Sequence, residues 1–246
     1  MTRARIRAIL ALPVLAALGV FLFWGLAGVP DFGGFHGRYG TIINHRATPE
    51  RHTTNAVTAV VFDYRAVDTL GEEFILFAAV VGIVLLLRKG DEGEPPTALV
   101  RSGQVNLVGA VMVGVAFLIG LWVIAFGFVT PGGGFQGGVV VAGALLLVFL
   151  TAGYRPWQRL AKEQALDPLE GLGVGSFVAI GLAGLIASGP FLHNFIAPGR
   201  TGTLASGGTM PLLNWATALE VAAANVVLYA EFLEHYVAPI FAKEPR

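Results

Sequence analysis

Six apolar stretches, each long enough for a helix to cross a bilayer, constrain this chain more than any other feature. A spanning helix takes roughly 20 predominantly apolar residues. Runs of that kind occur at about Ala8–Val29, Leu70–Leu87, Val105–Val129, Phe135–Ala152, Gly171–Gly189 and Leu213–Leu233. In lipid every backbone N–H and C=O must find its partner inside the protein, and apolar runs of this length do so as helices. The expected fold is all-α, a polytopic membrane protein of about six transmembrane helices. Composition agrees: 55% of residues are hydrophobic, only 13% are charged, and the mean hydropathy is +0.70, outside the range of an ordinary soluble domain.

The first stretch follows Arg3, Arg5 and Arg7, the basic flank of a secretory signal. Its apolar part exceeds the roughly 7–15 residues such a signal carries, so it reads as a retained helix. With an even number of spans and the N-terminus inside, the cytoplasmic segments hold eleven of the 16 lysines and arginines, among them Arg88, Lys89, Arg101, Arg155, Arg159 and Lys162. The outer segments keep only Arg38, Arg46, Arg51, Arg65 and Arg200. The positive-inside rule then places both termini in the cytoplasm. Net charge is zero without a long basic block, which argues against a nucleic-acid partner. The absence of cysteine excludes disulfides, thiolate metal sites and cysteine catalysis.

The charged, glycine-containing segment Lys89–Pro96 reads as a linker and divides the chain into two helices before it and four after. The expected organisation is a two-helix module at 1–90, a linker at 91–100 and a four-helix module at 101–246. A long outer loop, Pro30 to Thr69, belongs to the first module. In the second, the word Pro131-Gly132-Gly133-Gly134-Phe135-Gln136-Gly137-Gly138 lies between two spans so close that they must form an antiparallel hairpin. Its glycines permit a tight turn and close approach of a neighbouring helix, with Phe135 as an apolar wedge and Gln136 bonding exposed backbone. Direct ion binding by this backbone, as at broken transporter helices, is the rival reading.

Ionisable residues near the spans are few, so each is a candidate. Asp68 and Glu72 lie four residues apart, sharing a helix face, while Glu73 points elsewhere. Glu72 is either a proton or sodium relay or a cap that suits the helix dipole. Glu220 stands within the last span, flanked by apolar residues for several turns. It should be protonated, paired or reached by water, or else act as polar glue between helices. Asn225 and Glu231 follow it, and Glu231, Glu234 and His235 approach the cytoplasmic end.

Neither a metal centre nor an active site is legible. His193 and His235 fall at opposite ends of their spans, and His36, His45 and His52 lack ligand spacing. The glycine word follows no strand and precedes no Lys-Ser/Thr, so it is not a phosphate loop. Ser176, Ser188 and Ser206 lack the surroundings of a hydrolase nucleophile. No enzyme, cofactor or metal is expected.

Thr130-Pro131-Gly132-Gly133-Gly134-Phe135-Gln136-Gly137-Gly138, followed by a long apolar helix, resembles the MnhB (MrpB) family, the B-type component of the Mrp sodium/proton antiporters. The resemblance runs from about Arg101 to Tyr236 and includes Met210-Pro211-Leu212-Leu213-Asn214, where many members carry an acidic residue at the position of Asn214. Residues 55–72, with the word Asp68-Thr69-Leu70-Gly71-Glu72, resemble instead the MbhE-type module found at the end of the large A-type antiporter component and in membrane-bound hydrogenases. Together these resemblances imply a non-enzymatic component of a Na+/H+ antiporter in a bacterial or archaeal cell membrane. Partners of the A, C, D, E, F and G types are implied, with the lipid bilayer, Na+ and H+. Two alternatives stay open, the membrane arm of a related hydrogenase or complex-I-like oxidoreductase and a scaffold that conducts nothing.

Overall fold

In the computed structural model, residues 3–29, 37–87, 102–187 and 189–233 are described. The expected linker at 91–100, together with His36, Ser188, Glu234 and His235, lies outside them. Among the described residues the regular elements are all helical. They are α1 (Arg3–Ala27), α2 (Arg38–Arg51), α3 (Ala56–Ala59) with a π turn over Val60–Tyr64, α4 (Ala66–Leu87), α5 (Gly103–Ala125), α6 (Gly134–Ala152), α7 (Tyr154–Leu160), α8 (Glu163–Ala187) and α9 (Met210–Phe232). Two compact units result, Met1–Ile42 and Ile43–Arg246. In the first, α1 carries an apolar stretch, Leu12–Ala27, whose side chains are all exposed. That is how a helix looks when lipid or another chain must cover it.

In the second unit, α4, α5, α6, α8 and α9 are each long and apolar enough to span a membrane. The hub is α9, with 61% of its span buried against 11% for α4 and for α5. Its composition explains this, because Ala216, Ala218, Ala223 and Ala224 keep its surface low on several sides, and small residues are what lets membrane helices approach closely. Both α6 and α8 lie along it, α4 packs on α9 and α8, and α5 pairs chiefly with α6 as the expected hairpin.

The relative direction of α8 and α9 follows from their contacts. Phe177 clusters with Leu213 and Ala216, Gly173 faces Glu220, and Leu166 clusters with Ala224, Val227 and Ala230. As numbers rise along α8 they fall along α9, so the two are antiparallel. α8 begins at Glu163, ahead of its apolar run, since α7 and the polar turn after it finish the preceding connection. Phe149 meets Trp157 of α7 edge-on at 6.5 Å, closing that end of the core.

The stretch 43–65, part of a longer segment read from sequence as an outer loop, is largely helical and docked. Thr53 and Thr54 donate through their hydroxyls to the carbonyls of Phe128 and Val129. Asn55 Nδ2 donates to Gly127 O (2.6 Å) and Thr130 O (3.2 Å), and Thr58 Oγ1 to Gly127 O (2.8 Å). These bonds satisfy the carbonyls of the turn that follows α5. Asn55 also caps α3, its Oδ1 accepting from the amide of Val57 at 3.0 Å. The loop after α8 joins the same layer: Asn194 Nδ2 donates to Asp63 Oδ2 at 3.0 Å, and His52 Nδ1 lies 2.5 Å from Gly199 O.

Candidate functional site: a buried carboxyl pair

The chain enters the membrane through a broken helix. The π turn closes with Arg65 N donating to Val60 O (2.8 Å), and Arg65 itself leaves helical geometry at φ −135°, ψ 34°. The break frees the Val61 carbonyl, which Thr69 Oγ1 recovers at 2.6 Å from the first turns of α4. With this bond made, Ala66, Thr69, Glu73 and Val80 of α4 face inward.

Glu73, rather than Glu72, therefore enters the interior. Its side chain is 0% exposed, as is that of Glu220 on α9. The two carboxyls face one another, and Thr217, one turn before Glu220, makes a hydrogen bond to Glu73 Oε1. Thr217 Oγ1 also stands 3.0 Å from Leu213 O. One hydroxyl has a single proton to give, so either Thr217 donates to an ionised Glu73, or it donates to Leu213 and a protonated Glu73 donates to it. Glu73 Oε2, both carboxyl oxygens of Glu220 and Oε1 of the buried Glu170 meet no good donor among the described residues. None of the five spanning helices of this unit carries a lysine or arginine. A buried carboxylate with neither cation nor donor is strongly disfavoured, so these groups must carry protons, hold a cation or meet a cation from another chain.

Their depth suits such a task. Glu220 is near the middle of the 23-residue α9, about 15 Å from its start at 1.5 Å per residue. Asp68 and Glu72 share a face of α4, but that face is exposed, and Asp68 is ion-paired with Arg65. Near the start of α4 a cavity of about 510 Å³ is lined by Arg51, Asp63, Asp68, His193 and Asn194, among others. Its charges are largely matched: Arg51 Nε meets Asp63 Oδ1 at 2.8 Å, and Arg51 also stands over the Tyr64 ring. The Tyr64 hydroxyl donates to Glu50 at 2.8 Å, and its pKa is pushed up to about 12, first by burial and then by that carboxylate.

The glycine word positions α6 against this site. Gly133, at φ 152° and ψ 178°, starts the helix in a conformation open to glycine alone. A Cβ on Gly134 would strike the Asn214 carbonyl and Thr217, and one on Gly138 would lie 2.9 Å from Val221 Cβ. On the adjoining face, a Cβ on Gly137 would lie 2.9 Å from Gly120 O of α5. Pro131 and Gln136 are exposed and Phe135 is half-buried. Asn214 is buried, donates through Nδ2 to Ile124 O at 2.5 Å and leaves Oδ1 without a donor.

The fold and this site define a polytopic membrane protein that keeps acidic side chains at mid-membrane depth. Residues 105–227 match the family described as a domain related to the MnhB subunit of the Na+/H+ antiporter, and the chain belongs to that family. It is 30% identical over 195 residues to the uncharacterized protein MJ1307 of Methanocaldococcus jannaschii, covering 69% of this chain and 73% of that one. Among solved structures it is similar to a chain of the membrane-bound sulfane sulfur reductase, an archaeal respiratory membrane complex. That match has a TM-score of 0.72 and 30% identity and covers 97% of this chain and 100% of the other. It also shares its fold with a chain of the Mrp complex from Dietzia sp. DQ12-45-1b, with a TM-score of 0.70, 21% identity and all of this chain covered, but only 27% of the longer one.

Sequence reasoning missed Glu73 and Glu170. The available signal for Glu73 was the small and polar stripe Ala66-Thr69-Glu73, three and four residues apart.

Proposed function

We propose that this chain is a membrane component of a multisubunit monovalent cation/proton antiporter of the Mrp type, and that the Glu73–Glu220 pair holds the transported proton or Na+ within the membrane. The observation that carries this reading is the pair itself: two fully buried carboxyls, on helices from the two sequence modules, with no cationic residue in the spans around them. A scaffold has no need of such a pair, since apolar residues of similar volume would pack there at no desolvation cost. The chain acts with other subunits, because α4 and α5 expose most of their apolar surface and one carboxyl pair is not a complete path. Asp68 and Glu72 would serve ion access only where a neighbouring protein covers the exposed face of α4.

A second reading is favoured by one observation. The 30% identity to the chain of an archaeal respiratory complex extends over nearly the full length of both chains, so the same ion-handling module could be mounted on a redox enzyme. Proteins that co-purify in mild detergent separate the two: iron–sulfur proteins in the preparation identify the redox arm.

The test of the site is exchange by the assembled complex in vesicles carrying Glu73→Gln or Glu220→Gln. Either change is expected to cut cation/proton exchange at least tenfold with assembly intact, whereas Glu72→Gln is expected to have a smaller effect. Normal exchange in both pair variants makes the chain a scaffold.

A further inference from the structure

Glu170 of α8 is the third buried carboxyl, 4% exposed, and lies on the stripe Leu166, Glu170, Gly173, Val174, Phe177 that faces α9. The contact beside it is unusually close: a Cβ on Gly173 would fall 2.6 Å from the backbone nitrogen of Glu220. Gly173 is thus what brings α8 against α9 at the level of the pair. Because the helices are antiparallel, Glu170, three residues earlier on α8, lies about 4.5 Å beyond Glu220 towards the far end of α9. Its Oε1 meets no donor among the described residues.

The three acids occupy different depths. Glu73 is about 10 Å from the start of α4, Glu220 about 15 Å from the start of α9, and Glu170 about 9 Å from the start of the α8 span at Gln164. α4 and α9 begin on the side of the glycine turn, while α8 begins on the opposite side. Glu73 therefore stands nearest one surface, Glu220 near the middle and Glu170 nearest the other. Exposed Asp167, one turn before Glu170, continues towards that surface.

We propose that Glu170 extends the pair into a three-rung proton ladder across the membrane, with two transfers in the order Glu73, Glu220, Glu170, and that its ligand is the proton rather than Na+, since the three acids do not converge on one cation-sized site among the described residues. The proposal rests on the pair reading given above. At each step a carboxylic acid gives its proton to the neighbouring carboxylate, one O–H bond breaking as another forms. The donor is left as the carboxylate that accepts the next proton, and no oxidant or reductant is involved. Thr217, hydrogen-bonded to Glu73, orients the first step.

The test uses the assembled complex with Glu170→Gln and Glu170→Asp beside the two pair variants, in proteoliposomes and by infrared difference spectroscopy between acidic and alkaline media. Glu170→Gln is expected to lower exchange at least tenfold and to remove a carboxylic acid C=O band. Glu170→Asp keeps an acid, and so should shift that band and retain part of the exchange. Should Glu170→Gln assemble poorly, the shifted band in Glu170→Asp decides in its place. Wild-type exchange in Glu170→Gln, with Glu73→Gln and Glu220→Gln inactive, would overturn the ladder and leave the pair standing. Wild-type exchange in all three Gln variants overturns both. A band that responds to Na+ and not to pH overturns the choice of the proton.

Discussion

Replacing Gly138 by alanine adds one methyl group where α6 meets α9, with no change of charge. Its Cβ would lie 2.9 Å from Val221 Cβ and 3.0 Å from both Ala218 O and Val221 Cγ1. Unstrained carbon contacts lie at about 3.5–4.0 Å, so α6 must retreat by roughly 0.5–1 Å or the helices must distort. Overpacking of this kind costs about 1–3 kcal/mol. Against it stands the gain of up to ~1 kcal/mol that alanine brings over glycine inside a helix. Gly143→Ala isolates that gain, since a Cβ there meets nothing within 4 Å on the same helix. The two variants should therefore differ by about 1–3 kcal/mol, Gly138→Ala being the weaker. At ~2–4 °C per kcal/mol for a chain of this size, that is roughly 2–12 °C in Tm. The assay is thermal melting of the detergent-solubilised complex, with size-exclusion chromatography to follow assembly. If Gly138→Ala melts as high as Gly143→Ala, the close-packing account of the glycine word is wrong. If assembly and melting are normal while cation affinity alone changes, the word binds the ion directly.

Asn214→Ala breaks the bond to Ile124 O, which keeps the Gly127 amide at 3.2 Å, so it should destabilise the complex by about 0.5–1.5 kcal/mol, read by the same melt. Asn55→Ala removes the α3 cap and two bonds to the α5–α6 turn; the cap alone is worth about 0.5–2 kcal/mol, and faster proteolysis within 43–55 should report the release. Tyr64, raised from 10.0 to about 12, is stabilised in its neutral form by folding. Its contribution is complete below pH 10 and is lost as pH rises towards 12, so Tyr64→Phe should remove one phenol that ionises near pH 12 from an ultraviolet titration. The purified chain alone, reconstituted in vesicles, should not exchange Na+ for H+, and robust exchange would refute its dependence on other subunits.

How much of this was legible beforehand depended on whether lipid or protein set the pattern. The spans could be read because crossing a bilayer demands length and apolarity wherever a helix sits in the bundle. The apolar run from Val105 became α5 and the one from Leu213 lies in α9, although the first is mostly exposed and the second is the hub. Hydropathy cannot tell them apart, since lipid and protein interior are equally apolar. Only the run of alanines in α9 carried the difference. The docked helices of 43–65 were hidden for a different reason. α2 is polar, α3 and the π turn are far too short to read as a span, and their position comes from Thr53, Asn55 and Thr58 reaching carbonyls more than sixty residues away.

The choice between Glu72 and Glu73 shows the same limit at the scale of one residue. Adjacent positions on a helix differ by about 100° in direction, so the two acids could not both face α9. In a soluble protein the apolar stripe would have decided. Beyond Phe74, α4 is apolar on every side, and Phe74, Ile75, Leu85 and Leu86 are exposed. What decides is upstream, at the break after Tyr64: the Thr69 hydroxyl must recover the Val61 carbonyl, and a residue on the same face one turn later is Glu73. We infer that the rotation of the acid into the membrane is set by this side-chain bond at the helix mouth. Thr69→Val keeps the shape and removes that donor, leaving Val61 O unsatisfied at a cost of about 1–3 kcal/mol. If the bond sets the rotation, Thr69→Val should impair exchange as Glu73→Gln does, although residue 69 touches neither carboxyl. Exchange at the wild-type rate in Thr69→Val would show instead that packing of α4 against α8 and α9 holds Glu73 in place unaided.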